Sequence, residues 1–370
     1  MEWNDPLQVV LELTTHCNSQ CLDCGRYVGD TTTINPNIDI GKKGLLSLQA
    51  VKNLCSDEDM IRSIWLSGSY GDAPWHPKFF DILDMFPDNV QLGLETNGGM
   101  KDVTFWKHFG HIVKNKFADD SILIFGIDGP NNEIHQKYRR GVDFNKVIEN
   151  ALAAKEGGAK ICWSMIEFDY NSHLIEECKQ FADKLGFKFK IRRSRIRHRL
   201  KNAEKYKLSD RQKEVVKKLS HKVVFHGSGN KDHAEKMKDK IDIECEWKKK
   251  NQISVDYTSR LWMCCYFSAF YHHKPTSVDD KSTSESNRIR DGLIHYVNQY
   301  EDKWNFLENY TLKEILNHKF FTTDLEKSFL DTKEFPIIKR CIKHCNAEVR
   351  EANDLLYGSA AQSYKKAMNQ

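Results

Sequence analysis

The sequence lacks any run of about eighteen consecutive apolar residues, which a membrane-spanning helix requires. Its start, MEWNDPLQVV, lacks the basic segment and the following apolar segment that mark a secretory signal peptide. The sequence also lacks a large excess of one charge sign, because the formal net charge is only +4 over 370 residues. Such a small charge does not favour nucleic acid as a partner. We therefore expect a cytoplasmic protein with neither a membrane nor a nucleic acid as its partner.

Cysteine, in contrast, is plentiful. The chain contains 11 cysteines, and in the reducing cytoplasm they are expected to be metal ligands or reactive thiols rather than disulfides. The composition is otherwise globular, with 40% apolar and 11% aromatic residues. The length is sufficient for one large domain and a smaller one.

Short β-rich segments alternate with amphipathic segments through the first half of the chain. The predicted strands are 7–13, 61–67, 90–96, 121–127, 160–168 and 187–193, and predicted helices between them include 46–55, 79–86, 144–158 and 172–186. This alternation predicts an α/β fold with a parallel sheet, curled into a full or partial barrel. In such barrels the chemistry lies on loops at the carboxyl ends of the strands.

The second half differs in kind. We predict that a barrel domain spans residues 1–200, that a basic connector spans 201–240 because its charge would not support a core, and that a smaller α+β domain spans 241–370. Within the last range, 253–264 predicts two short strands around a turn. The segments 312–321 and 346–356 are expected to be helices.

Three cysteines, Cys17, Cys21 and Cys24, follow the first predicted strand with the spacing C-x3-C-x2-C. They are close enough in sequence for their sulfurs to converge on one centre. Four thiolates would complete a structural zinc or iron–sulfur site. Three protein ligands leave one metal position open, which is where chemistry can occur.

Three further motifs follow successive strands. They are Gly71-Asp72 within SGSYGDAPWHP, Asn97 within ETNGG, and the segment FGIDGPNNEIHQKYRRGVDFNKVIENA at 125–151. Together with the cysteine spacing, this ordered set resembles the radical S-adenosylmethionine (SAM) superfamily over nearly the whole chain.

The resemblance implies a partial (β/α)6 TIM-like barrel in which Cys17, Cys21 and Cys24 hold a [4Fe–4S] cluster. It also implies that SAM chelates the fourth iron and is cleaved reductively to a 5′-deoxyadenosyl radical, which abstracts a substrate hydrogen. Among the SAM contacts, Gly71-Asp72 stands for the family's GGE motif. Asp72 suits the amino group of SAM, because a carboxylate pairs with an ammonium. The resemblance assigns no catalytic acid or base.

Weaker SAM contacts are expected from Asn97 and Ser164, which lie in or after strands. Asp128 is interpreted equally well as a SAM contact or as a turn residue before glycine. Two positions depart from the family pattern. Asp23 replaces an aromatic residue that covers the adenine, so that its backbone alone is expected to bond the adenine. Gly126 replaces the usual serine or threonine that meets the ribose.

A second set of cysteines lies beyond the predicted connector. The segment from Cys245 to Cys265 resembles the opening of the SPASM or twitch extensions of radical SAM enzymes, with Ser259 in place of a family glycine. The expected ligands of one auxiliary [4Fe–4S] cluster are Cys245, Cys264, Cys341 and Cys345. Cys265 is the alternative to Cys264, and the same thiolates would also suit a zinc ion.

Alternating arginines follow the sixth predicted strand. Arg193 or Arg195 is a candidate contact for the SAM carboxylate or for an anionic substrate, because the arginine fork matches carboxylate and phosphate groups. The alternative is a solvated basic connector.

The resemblance favours radical modification of a peptide or protein side chain. Two alternatives are modification of a small anionic metabolite or nucleotide, and a non-catalytic metal- or RNA-binding protein. The family also implies an electron donor such as a flavodoxin or ferredoxin.

Overall fold

The computed structural model describes residues 6–22, 24–28, 31–36, 38–193, 243–272, 292–301, 303–330, 332, 334–338, 341 and 345. The predicted connector and the predicted helix at 346–356 lie outside these residues. Within the described ranges, every helix is too short or too polar to cross a lipid bilayer.

Six parallel strands form a sheet in which neighbours in sequence are neighbours in space. They are β1 (Leu7–Leu11), β2 (Ile61–Leu66), β3 (Gln91–Thr96), β4 (Ile122–Gly126), β5 (Ile161–Glu167) and β6 (Lys188–Arg193). Each strand matches a predicted one within a few residues. The predicted partial (β/α)6 TIM-like barrel is thereby confirmed as the architecture of the first half.

Helices connect these strands. They are α1 (Leu48–Leu54), α2 (Phe79–Met85), α3 (Val103–Lys116), α4 (Asn132–Gln136), α5 (Phe144–Glu156) and α6 (Ile175–Leu185). Short 3-10 helices lie at Gly41–Gly44, Glu58–Met60, Ala73–Trp75 and Ser172–Leu174. Polar caps set several helix starts; at α3, for example, the Asp102 side chain accepts a hydrogen bond from the Phe105 amide at 2.9 Å. At its other end, α6 stops at Gly186, whose φ of 66° favours glycine.

The two faces of the sheet bury different cores. Trp163 of β5 lies on the outer face against aromatic rings of the surrounding helices, including Phe144 and Phe181. The inner face lines the interior of the partial barrel, which we call the lumen. A smaller apolar cluster, the lumen cluster, lies there and consists of Val10, Trp65, Ile122, Ile124 and Cys162. Gly93 is required there, because a Cβ at this position would lie 1.9 Å from the ring of Trp65.

The segment beyond residue 243 adds two strands to the same sheet. Strand β7 (Gln252–Val255) pairs with β1 in parallel, and β8 (Leu261–Trp262) pairs with β7 in antiparallel orientation, which gives the order β6-β5-β4-β3-β2-β1-β7-β8. The two predicted strands at 253–264 are present. Their pairing with the barrel was not predicted.

Short helices surround the β7–β8 hairpin. They are α7 (Glu246–Lys249), α8 (Cys265–His272), α9 (Gly292–Gln299), α10 (Leu312–Leu316) and α11 (Leu325–Ser328), with a π-helical turn at Phe320–Asp324. The predicted helix at 312–321 is therefore broken between α10 and the π-helical turn. The domain boundaries, and a separate smaller α+β domain, stay predictions.

Candidate cofactor site

The three amino-terminal cysteines lie together on the loop that follows β1. All three are partly exposed. Burial raises the pKa of Cys17 to about 12, and the nearby Asp72 charge adds to the effect. Burial also raises the pKa of Cys24. A positively charged metal centre would stabilise the thiolate forms of Cys17 and Cys24 and so favour loss of their protons.

Hydrogen-bond donors already point at two of the sulfurs. The Ser19 hydroxyl lies 2.9 Å from the Cys21 Sγ, and the Ser19 amide donates to the Cys17 Sγ at 3.4 Å. The Asn97 side chain donates to the same Cys17 sulfur at 3.4 Å and to the Asn18 side chain at 2.9 Å. The predicted residue Asn97 therefore holds the cysteine loop. Donors of this kind orient sulfur ligands and tune the potential of a bound cluster.

Gly71 fixes the loop after β2 against the cysteine loop. A Cβ on Gly71 would lie 1.9 Å from the Thr14 carbonyl oxygen, so only glycine allows this approach. The next residue, Asp72, donates its backbone N–H to the His16 carbonyl at 2.8 Å. The two predicted residues Gly71 and Asp72 therefore lie directly beside the residue that precedes Cys17.

The Asp72 side chain is buried and only half satisfied. Its Oδ2 accepts hydrogen bonds from the Thr96 hydroxyl at 3.0 Å and from the Asn97 amide at 3.3 Å. No described residue forms a hydrogen bond with its Oδ1. Burial raises the pKa of this carboxyl to about 6, against the lowering effect of the two hydrogen bonds. An orphaned buried carboxylate oxygen beside three thiols is a place for a cationic group.

Asp128 is positioned by structural partners. Its Oδ1 accepts the Ile166 amide at 2.7 Å, and its Oδ2 accepts the Arg139 Nε at 2.7 Å. Its own N–H donates to His135 Nδ1 at 3.2 Å, and burial lowers the pKa of that histidine to about 3. Asp128 therefore holds Arg139 in place.

Arg139 is a site residue that the sequence did not identify. Its guanidinium fills the space above Gly126, where a Cβ would lie 2.3 Å from Nη2. The absence of a side chain at Gly126 therefore has a structural reason. Arg139 also acts electrostatically on Cys24 and Asp72, whose pKa values it lowers. The sequence shows the glycine, but only the structure shows that Arg139, which follows α4, fills the space above it.

The remaining predicted contacts are only partly described. Ser164 is buried in β5 and pairs in register with Gly126 on one side and Lys190 on the other. Asp23 and Arg195 lie outside the described residues, as does the side chain of Arg193, the last residue of β6. These three assignments stay predictions.

The second set of cysteines also comes together. Cys264 is buried, and the charges of Cys265, Cys341 and Cys245 add to burial in raising its pKa. The thiols of Cys245 and Cys345 are hydrogen-bonded to each other, and this contact lowers the pKa of Cys245 and raises that of Cys345. All four predicted ligands are therefore close enough to interact.

The β7–β8 hairpin that leads to Cys264 is organised by a buried aspartate. Asp256 accepts hydrogen bonds from the Thr258 hydroxyl at 2.7 Å, the Trp262 Nε1 at 2.7 Å and the Ser268 hydroxyl at 3.1 Å. Ser259 adopts a φ of 70°, a conformation that favours glycine, where the family pattern has glycine.

Neither cysteine set has the geometry of a single-ion site. In the described parts of the chain, no three histidine, cysteine, aspartate or glutamate side chains converge tightly enough for one metal ion. Zinc–sulfur bonds of about 2.3 Å would bring four sulfurs within about 4 Å of one another. In an iron–sulfur cluster each thiolate binds a different iron, so wider spacing is expected. Thiolate donors suit iron–sulfur clusters, and the four thiols of the second set also suit zinc.

The chain matches no protein-family model and no curated protein. Among solved structures it is similar to native anSMEcpe with bound AdoMet, at 17% identity and a TM-score of 0.52, over 98% of this chain and 96% of that chain. It is also similar to native anSMEcpe with bound AdoMet and Cp18Cys peptide, at 17% identity and a TM-score of 0.49, over 98% of this chain and 96% of that chain. The chain is also similar to Streptococcus suis SuiB bound to S-adenosylmethionine, at 14% identity and a TM-score of 0.47, over 84% of this chain and 77% of that chain.

All three neighbours were solved with bound AdoMet, which is S-adenosylmethionine. The similarity to anSMEcpe at a TM-score of 0.52 confirms the predicted resemblance at the level of the fold.

Proposed function

We propose that the chain is a radical SAM enzyme whose Cys17, Cys21 and Cys24 hold a [4Fe–4S] cluster. The observation that carries this proposal is the convergence of three partly buried thiols and the orphaned Asp72 oxygen at the carboxyl ends of β1 and β2. When bound, the cluster supplies the electron that cleaves SAM to methionine and a 5′-deoxyadenosyl radical, which abstracts a substrate hydrogen.

The chain's own residues bind and orient SAM. The ionised Asp72 binds the SAM amino group through Oδ1, while Thr96 and the Asn97 amide hold Oδ2. This is a charge-assisted hydrogen bond in a buried site, where such bonds are strongest.

Arg139 binds the SAM carboxylate. Its Nε is used by Asp128, and among the described residues its two terminal nitrogens make no hydrogen bond, so they offer the donor pair that matches a carboxylate. The ion pair with Asp128 stabilises the buried Arg139 guanidinium in the folded protein before SAM binds.

The substrate we propose is a peptide or protein side chain. Support comes from the second cysteine set, which resembles a twitch extension. A peptide substrate is also in keeping with the solved complex of anSMEcpe with Cp18Cys peptide. Cys245, Cys264, Cys341 and Cys345 would hold an auxiliary [4Fe–4S] cluster, with Cys265 as the alternative to Cys264 and zinc as the alternative occupant. A flavodoxin or ferredoxin is the proposed electron donor.

The decisive experiment measures SAM cleavage. Protein reconstituted anaerobically with iron and sulfide, then mixed with dithionite and SAM, is expected to form 5′-deoxyadenosine, detected by liquid chromatography. Replacing Cys17, Cys21 and Cys24 together with alanine should abolish the product, since no other described thiols surround the site. A matched control replaces the buried core cysteines Cys55 and Cys178, which should leave product formation intact. Undiminished product from the triple variant would refute the proposal.

A further inference from the structure

A buried arginine lies beside the three amino-terminal cysteines and is not one of the proposed SAM contacts. Arg26 follows Cys24 by two residues and is only 7% exposed. Its Nε and Nη1 are buried, and neither forms a hydrogen bond with a described residue. Arginine keeps its charge inside proteins, and burial of a charge is costly unless an opposite charge lies nearby. We therefore expect Arg26 to face an anionic group.

Turns of the cysteine loop determine where the Arg26 guanidinium lies. The Tyr27 amide donates to the Cys24 carbonyl at 3.0 Å, and the Tyr27 hydroxyl donates to the Ser19 carbonyl at 3.1 Å. Ser19 in turn contacts two of the three sulfurs. The guanidinium carbon of Arg26 lies 5.9 Å from the centre of the Tyr27 ring. Arg26 therefore packs on the residue that closes the cysteine loop.

The main chain of Arg26 is also held from the other side. Its carbonyl accepts the Asn35 amide at 2.8 Å, and the Gly25 carbonyl accepts the Asn35 side-chain amide at 3.2 Å. Gly25 lies against Tyr70, because a Cβ on Gly25 would be 3.2 Å from that ring. The Arg26 side chain therefore starts from a position that the fold defines.

Arg26 acts electrostatically on both ends of the cysteine loop. Its charge opposes the rise in the pKa of Cys24 at one end, and it contributes to the lowered pKa of His16 at the other. The Tyr27 phenol beside it is neutral at physiological pH. Arg26 is thus a positive charge close to the space that the three thiols share.

The other charged groups of the site have different roles. The Asp128 carboxylate accepts a hydrogen bond from Arg139 at 2.7 Å, and Asp72 is the proposed partner of the SAM amino group. Arg26 is therefore a further positive charge, separate from the proposed SAM contacts.

The proposed cluster would supply the negative charge that Arg26 faces. A [4Fe–4S] core with two positive charges, bound by three singly charged thiolates, carries one net negative charge, and reduction by one electron adds a second. A nearby cation stabilises the reduced form more than the oxidised form, because the attraction grows with the charge. Net charge near a cluster is one of the factors that set its reduction potential.

We infer that Arg26 stabilises the reduced state of the amino-terminal cluster and so raises its reduction potential. This inference rests on the proposed function. A less negative potential makes the cluster easier to reduce by the proposed donor, a flavodoxin or ferredoxin. Arg26 thereby controls the delivery of the electron rather than the binding of SAM.

The test is a potentiometric titration of the reconstituted full-length protein without SAM, with the reduced clusters detected by electron paramagnetic resonance. The signal that is missing from the triple alanine variant of Cys17, Cys21 and Cys24 belongs to the amino-terminal cluster. In Arg26→Gln the equilibrium constant for its reduction should fall about tenfold or more, which for one electron is a shift of about 59 mV to more negative potential. Arg26→Lys keeps the charge and should recover most of this shift.

The matched control is Arg62→Gln. Arg62 is an exposed arginine near the start of β2, at the opposite end of the sheet from the cysteine loop, and it donates to the main-chain carbonyls of Pro6 and Lys250. Its replacement removes the same formal charge and should leave the potential unchanged. An equal shift in Arg62→Gln, or no shift in Arg26→Gln, would overturn the inference.

Iron content and SAM affinity separate the electrostatic role from two others. Loss of the cluster in Arg26→Gln but not in Arg26→Lys would show that the cluster requires the charge, in agreement with the inference. Loss in both variants would indicate a structural role and contradict it. Weaker SAM binding in dialysis at an unchanged potential would identify Arg26 as a SAM contact and contradict it too.

The same samples distinguish this inference from the proposed function, because 5′-deoxyadenosine is measured in each. Wild-type protein that binds no iron through the three cysteines contradicts both. SAM cleavage with a potential that does not depend on Arg26 contradicts only the inference. A potential that depends on Arg26, without SAM cleavage, contradicts only the proposed SAM chemistry.

Discussion

At the scale of single residues, Asp72 shows how a fold prepares a polar group for a ligand. Its Oδ2 is held by Thr96 and by the Asn97 amide, and its Oδ1 is left without a described partner. In the protein without ligand, such an oxygen lowers stability. The position is therefore better explained by binding than by folding.

Asp72→Asn should weaken SAM binding by about ten- to hundredfold, the range expected for one lost charge-assisted hydrogen bond. Equilibrium dialysis with labelled SAM checks this. The affinity of the wild type should fall as the pH drops below about 6, because the carboxyl is then protonated. The variant lacks this carboxyl and should not show this loss of affinity at low pH. An identical pH profile in both proteins would contradict the assignment.

The effect of Asp72 on stability has the opposite sign. Its pKa of about 6 in the folded protein lies above the ordinary aspartate value of 3.8, so the folded state binds the proton more tightly than the unfolded state. The free energy of unfolding should therefore decrease as pH rises from about 4 to 6. At pH 7, Asp72→Asn should be more stable than the wild type by about 1–3 kcal/mol in urea unfolding.

Gly126→Ala should weaken SAM binding about fivefold or more, because its Cβ would displace the Arg139 guanidinium. Arg139→Gln should have a similar effect. The double variant should be no worse than Arg139→Gln alone, since both changes remove the same contact. Additive losses, measured by the same dialysis, would show that Gly126 acts independently of Arg139.

At the scale of elements, the strands and their order could be predicted because six β-rich segments alternate with helices, and parallel pairing then follows. The position of Cys17 after β1 and of Asp72 after β2 followed from that order. Which side chains of β6 face the lumen could not be predicted from the strand order. The sequence drew attention to Arg193 and Arg195, which stay predictions, and did not single out Arg192, which the structure places in the lumen.

Contacts between distant segments were also beyond the sequence. Arg139 became identifiable as a site residue only once its guanidinium was seen above Gly126. The pairing of β7 with β1 joins residues more than two hundred positions apart, and no local pattern encodes such a partner.

The lumen gives a packing prediction. Gly93→Ala should lower the free energy of unfolding by about 1–3 kcal/mol, because its Cβ would overlap the Trp65 ring. In the Trp65→Leu background the same substitution should cost less, since the smaller side chain leaves room. Chemical denaturation of the four proteins measures the coupling, and equal costs in both backgrounds would contradict the overlap.

At the scale of the whole molecule, the strands that lead to Cys17 and to Cys264 belong to one sheet. Replacing Cys245, Cys264, Cys341 and Cys345 with serine should reduce bound iron from about eight to about four atoms per chain. The three amino-terminal thiols should retain the rest. Elemental analysis for iron and zinc distinguishes the occupants, because loss of one zinc with unchanged iron would contradict an auxiliary cluster.

The docking of β7 along β1 has a consequence for solubility. Without residues 252–255, β1 would be an outermost strand, with main-chain groups such as the Gln8 and Glu12 amides left open to pairing with another molecule. The carboxy-terminal half therefore shields the barrel from sheet-to-sheet aggregation.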